Sequence, residues 1–100
     1  MKQEKWLALL GLANRAGRVI TGEELVIKEI QRQHAKIVLI ANDASDNTKK
    51  KIRDKCSYYQ IPCFSVSDRY TLGQSIGKEK RVVVAVIDSG FANKLIQMLD

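Results

Sequence analysis

Arg18-Val19-Ile20-Thr21-Gly22-Glu23-Glu24-Leu25-Val26-Ile27-Lys28 reads as a short strand that ends on a glycine turn and passes at once into a helix. Residues 18–21 supply the strand. Residues 22–33 continue as a helix that turns Val26, Ile27 and Ile30 inward at helical spacing. The junction gathers backbone N–H groups, a glycine, two carboxylates and a lysine at one helix mouth. A helix N-terminus carries partial positive charge and unpaired donors, so it suits an anionic or hydrogen-bonding ligand. A purely structural reading stands beside this one. Thr21 and Glu24 have capping-box spacing, and Glu24 with Lys28 forms an i, i+4 pair that stabilises a helix by about 0.2–0.5 kcal/mol.

The same strand-to-helix pattern extends in both directions. Upstream, Trp6, Leu9, Leu10 and Ala13 recur at helical spacing until Gly17 ends the pattern. Downstream, Lys36-Ile37-Val38-Leu39-Ile40-Ala41 is a nearly continuous apolar run, as expected of a strand covered on both faces. Asn42-Asp43-Ala44-Ser45 supplies a turn and a cap for a helix over 46–59, with Ile52, Cys56 and Tyr59 on one stripe. Pro62 precedes the short strand Cys63-Phe64-Ser65-Val66, and a brief helix follows near 68–75. After the loop Ile76-Gly77-Lys78-Glu79-Lys80 comes the strand Arg81-Val82-Val83-Val84-Ala85-Val86-Ile87. Asp88-Ser89-Gly90 then caps a last helix carrying Phe91, Leu95 and Leu99. Five helices alternating with strands predict an α/β fold, a three-layer α/β/α sandwich around a small mixed four-stranded sheet.

Composition narrows the function classes. The 100 residues suit a single domain over 1–100, with 45% hydrophobic and 28% charged residues. No apolar run reaches the length of a membrane span. Met1-Lys2-Gln3-Glu4-Lys5-Trp6 lacks a secretory signal pattern, so a cytoplasmic location is expected. Cys56 and Cys63 have neither redox-motif nor zinc-ligand spacing and read as buried thiols, while His34 reads as a loop residue. Asp43, Asp46, Asp68 and Asp88 all fall at turns or caps, where local hydrogen bonding favours aspartate. There is no phosphate-binding glycine motif and no nucleophile–base signature. No catalytic residue, metal or cofactor is therefore expected.

The net charge of +6 makes nucleic acid the first ligand class to consider. Basic residues form three groups: Lys49, Lys50, Lys51, Arg53 and Lys55; Lys78, Lys80 and Arg81; and Lys2, Lys5, Arg15 and Arg18. Their convergence on one electropositive surface is an expectation for the fold to test.

Read in order, the chain resembles the ribosomal-protein family that binds kink-turn RNA, the archaeal L-seven-Ae type, and within it the small bacterial YlxQ-like branch. The resemblance rests on Leu10-Gly11-Leu12-Ala13-Asn14-Arg15-Ala16-Gly17, Thr21-Gly22-Glu23-Glu24 with Lys28, and Ile40-Ala41-Asn42-Asp43-Ala44-Ser45. It continues through Asn47-Thr48-Lys49-Lys50-Lys51 and Leu72-Gly73 to Gly77-Lys78. It implies an RNA surface made from the helix mouth at Gly22 and the loop before the last strand. In the family, a glycine-x-asparagine-x-x-x-lysine pattern reads the tandem G·A pairs of the kink, and Gly22 and Lys28 match its ends. Glu24 stands where asparagine is typical, and Leu25 where many relatives carry glutamate or glutamine. A carboxylate accepts a base amino group but donates nothing.

The expected RNA-contacting set is Asn14, Arg15, Arg18, Gly22, Glu23, Glu24, Lys28, Ile76, Gly77, Lys78, Lys80 and Arg81. In it Ile76 supplies an apolar contact to an unstacked nucleotide, and Asn14, Arg15 and Arg18 flank the surface. The implied function is non-catalytic recognition of structured RNA by a monomer. The target would be a kink-turn or related internal loop, ribosomal RNA included, with neither DNA nor membrane as partner. The alternative is a ribosome-associated protein–protein interaction module on the same fold.

Overall fold

The computed structural model describes residues 2–100, with side chains from Lys5 onward. In chain order the elements are α1 (Lys2–Arg15), β1 (Val19–Thr21), α2 (Glu23–Gln31), β2 (Ile37–Ala41) and α3 (Asp46–Tyr59). They continue with β3 (Cys63–Val66), α4 (Arg69–Ser75), β4 (Val83–Val86) and α5 (Ser89–Leu99). The sheet order is β1-β4-β2-β3. β4 runs antiparallel to both of its neighbours, and β2 and β3 are parallel. This is the mixed four-stranded α/β/α sandwich expected from the alternation.

The period of two in β2 and β4 builds a core on each face. Ile37, Leu39 and Ala41 of β2 and Val84 and Val86 of β4 join Trp6, Leu10, Ala13, Leu72 and Leu95 on one side. Val38, Ile40, Val83 and Ala85 point the other way, against Val26, Ile30, Ile52 and Cys56. Helices α1, α4 and α5 thus cover one face and α2 and α3 the other. Leu39 and Ile40 are fully buried, each side chain contributing about 1.5–3 kcal/mol from apolar burial.

Topology decides what meets at each end of the sheet. β1, β2 and β3 all run the same way, so α2, α3 and α4 all begin at one end of the sheet. β4 runs opposite, so the loop before it arrives at that same end. Ser45 caps α3 by accepting from Thr48 N at 3.1 Å. Asp68 and Asp88 cap α4 and α5 in the same way, satisfying first-turn donors that the helix itself leaves unpaired.

Candidate nucleic-acid interface

Gly22 joins β1 to α2 with φ at +100°, in the left-handed range that favours glycine. Nothing lies within 4 Å of where a Cβ would project. Conformation rather than crowding therefore calls for glycine here, and the backbone is open to an approaching molecule. Gly22 is itself the N-cap residue of α2 and offers no side-chain acceptor, unlike Ser45, Asp68 and Asp88 on the three helices that follow. The first-turn donors of α2 remain without a side-chain cap.

Two local expectations are corrected here. Thr21 does not cap α2; it is still strand, and its Oγ1 donates to the Val83 carbonyl at 2.8 Å across to β4. Glu24 is exposed and makes no ion pair with Lys28 among the described residues. Lys28 is also exposed, and Leu25 at the mouth is 56% exposed.

The other carboxylate at the mouth behaves differently. Glu23 turns toward α3, where Oε2 accepts from Lys51 Nζ at 3.0 Å and Oε1 from Thr48 Oγ1 at 2.8 Å. The Lys51 bond first, then the Thr48 bond, hold its carboxyl below the usual range. Lys51 thereby offsets the charge of Glu23 and fixes the start of α2 against α3.

The loop between α4 and β4 is delivered to Gly22 by close packing. A Cβ at Gly73 would lie 2.6 Å from the Lys80 Cα, so the loop folds back directly on α4 only because residue 73 is glycine. Lys78 N donates to the Gly73 carbonyl at 2.9 Å and Arg81 N to the Arg69 carbonyl at 3.0 Å. As a result Lys80, Arg81 and Arg69 border one cleft of about 220 Å³ together with Gly22, Val82 and Val83.

Arg69 is the member that sequence reasoning missed. It is set by a long-range partner: its N and Nε donate to the Asp43 carboxylate at 3.0 and 3.3 Å, and Nη2 donates to the Asp43 carbonyl at 2.6 Å. No local motif announces a pair separated by 26 positions.

Other expected members lie elsewhere. Ile76 is 3% exposed and belongs to the core with Leu10 and Leu72, so its side chain offers no surface to a nucleotide. Asn14 Nδ2 donates to the Ile76 carbonyl at 3.2 Å. Asn14, Arg15, Ile76 and Gly77 border a separate groove of about 500 Å³ between α1 and the end of α4. Arg18 does not flank Gly22 either. Its carbonyl accepts from Ile87 N at 2.9 Å, at the end of β1 opposite Gly22, about 13 Å away at the usual strand rise.

Of the three basic groups, the one near the N-terminus has Arg15 and Arg18 away from the mouth. Lys80 and Arg81 reach the mouth, and Lys51 borders it through Glu23. Lys50 pairs with Asp54, and Arg53 donates to Ser65. The Lys2 side chain falls outside the described ones. Among the described residues no cluster of histidine, cysteine and carboxylate could hold a metal ion, and no helix is long and apolar enough to cross a membrane.

Comparison with known proteins gives a consistent picture. Residues 4–96 match the family model described as the ribosomal protein L7Ae/L30e/S12e/Gadd45 family. The chain is 61% identical over 100 residues, covering all of both sequences, to the RNA-binding protein YlxQ of Bacillus subtilis. A solved Bacillus halodurans protein of unknown function superposes with a TM-score of 0.94 at 50% identity, covering 96% of this chain and 97% of that one. The Giardia lamblia 15.5kD RNA binding protein shares the fold, with a TM-score of 0.81 at 18% identity over 93% of this chain and 80% of that one.

Proposed function

From a chain that belongs to the ribosomal protein L7Ae/L30e/S12e/Gadd45 family, we propose a non-catalytic RNA-binding protein of the cytoplasm. It recognises a kink-turn or related internal loop at the mouth of α2. The carrying observation is the cleft in which Gly22 meets Arg69, Lys80 and Arg81. The uncapped start of α2 presents donors and partial positive charge to a phosphate or base edge. Lys80 and Arg81 beside it neutralise backbone charge, Arg69 is held there by its ion pair with Asp43, and Val82 and Val83 give the cleft an apolar wall.

Duplex RNA hides its base edges in a deep, narrow groove, so such a mouth suits unstacked or non-Watson–Crick bases. Lys28 and Glu24 extend the reading edge along the exposed face of α2, Lys28 as donor and Glu24 as acceptor. Glu23 serves by position, because its carboxylate is already engaged by Lys51 and Thr48. In this reading Asn14, Arg15 and Arg18 contribute no base contact.

The test is binding of a kink-turn RNA to variants at the two ends of β1. Substituting Lys80 and Arg81 together with alanine should weaken binding and lower the salt slope by about 1.4–1.8, since each phosphate contact contributes about 0.7–0.9. Arg18→Ala should leave affinity nearly unchanged. Equal losses from both would remove the cleft from the interface. A partner protein captured through exposed Leu25, with no RNA affinity, would favour the interaction-module reading instead.

A further inference from the structure

Five of the chain's 17 lysines and arginines lie on one helix, α3: Lys49, Lys50, Lys51, Arg53 and Lys55, against two carboxylates, Asp46 and Asp54. Helix energetics do not account for them. Cations stabilise a helix in its last turn, where α3 has none, and Lys49, Lys50 and Lys51 stand instead in its first half. Lys49 and Arg53 are four residues apart, as are Lys51 and Lys55, and like charges at that spacing destabilise a helix. Core packing does not call for them either, because the buried positions of α3 are Ile52 and Cys56.

Pairing inside the protein leaves much of this charge uncompensated. Lys51 donates to Glu23 at 3.0 Å, and Lys50 pairs with Asp54 at 3.2 Å. Arg53 donates only to the Ser65 hydroxyl, which carries no charge. Lys49 and Lys55 make no ion pair among the described residues. Arg53 is exposed and Lys49 and Lys55 are partly so. Three unneutralised cations therefore span about 9 Å of helix at the usual rise.

We propose that the solvent side of α3 is a second RNA-contact surface, which holds the phosphate backbone of a duplex stem flanking the element bound at Gly22. The inference rests on the RNA-binding reading above and extends it beyond the mouth. Continuity with the mouth supports this occupant. α3 begins at the same end of the sheet as α2, and Lys51 and Thr48 tie it to Glu23 in the first turn of α2. A stem leaving the mouth thus passes directly onto α3.

The chemistry of the face fits phosphate rather than base. A lysine is a flexible point charge, suited to phosphate, and a duplex stem offers side chains its backbone while its major-groove edges are closed to them. The carboxylates do not oppose this. Asp54 is engaged by Lys50, and Asp46 lies in the first turn, where the helix favours a negative charge. Tyr58 is 79% exposed, two turns beyond Lys51, with its ring set edge-on to Tyr59. Its hydroxyl adds a donor for a phosphate oxygen at the far end of the face.

The test titrates the full-length protein, at several salt concentrations, with one kink-turn RNA carrying either short flanking stems or stems lengthened by a full helical turn. A plain duplex is the reference. The longer stems should bind severalfold more tightly and with a steeper salt dependence. Lys49→Gln combined with Lys55→Gln should abolish that gain and lower the salt slope on the long-stemmed RNA by about 1.4–1.8. The affinity for the short-stemmed RNA should hardly change. Each substitution removes one like-charge pair, so Tm should hold or rise. A fall in Tm would assign the two lysines to the fold and overturn the proposal. Equal affinity for both stem lengths, with preference for the kink-turn over the duplex intact, would overturn the α3 surface and leave the Gly22 reading standing. Absence of that preference at either stem length would overturn the Gly22 reading, and this one with it.

Discussion

Glu23 shows how one side chain can look like a ligand contact in sequence and act as a brace in the fold. Its carboxylate joins α2 to α3 through Lys51 and Thr48, and the pair with Lys51 is only partly shielded, with Glu23 30% exposed. Glu23→Gln should therefore cost about 0.5–1 kcal/mol of stability in a denaturant titration. The pH dependence has a definite sign. A carboxyl whose folded pKa is depressed stabilises above its unfolded value and loses that contribution as pH falls through the folded value. Glu23, from its ordinary value of 4.5 downward, and Asp68, from 3.8 downward, both belong to this class. Thermal stability should thus decline below about pH 4.5, and Glu23→Gln should flatten part of that decline. Ile76 makes the complementary point. A residue expected at the RNA surface is a core residue, so Ile76→Ala should cost about 2–5 kcal/mol of folding free energy, measured by chemical denaturation.

The strand–glycine–helix junction at Gly22 and the alternation around it were legible because each depends on local pattern. β2 reads as an unbroken apolar run because both its faces are covered, and all five of its residues are buried. Ser45 and Asp88 stand at caps that the sequence announces. The missed features depend on contacts between distant segments. Thr21 has capping-box spacing, but the neighbouring Val83 carbonyl takes its hydroxyl. Arg69 enters the cleft only because Asp43, far along the chain, holds it. Asn14, Arg15 and Arg18 lie near Gly22 in sequence, yet the direction of β1 and the end of α4 carry them away. The loop before β4 turns on Gly73, where a methyl group would strike the Lys80 backbone at 2.6 Å. Gly73→Ala should displace that loop and cost about 1–3 kcal/mol by denaturation. It should also weaken RNA binding without removing any charge.

Three parallel strands and one reversed strand bring three helix starts and the last loop to a single end of the molecule. In the proposed reading that placement, more than the net charge of +6, concentrates RNA contacts at Gly22. Charge alone would attract any nucleic acid, and with a Debye length of about 8 Å at physiological ionic strength that attraction is short-ranged. Shape selection requires the cleft itself. Beside it, on the exposed face of α2, Lys28 should supply a base-edge contact, and Lys28→Ala should weaken kink-turn binding by about 1–3 kcal/mol in a titration. The most direct measurement compares the affinity of the unmodified protein for a kink-turn RNA and for a plain duplex of equal length at about 0.15 M salt. Preference for the kink-turn by about a hundredfold, about 2.8 kcal/mol, is the expected result. Equal weak binding to both RNAs would contradict recognition of bent RNA by the Gly22 cleft.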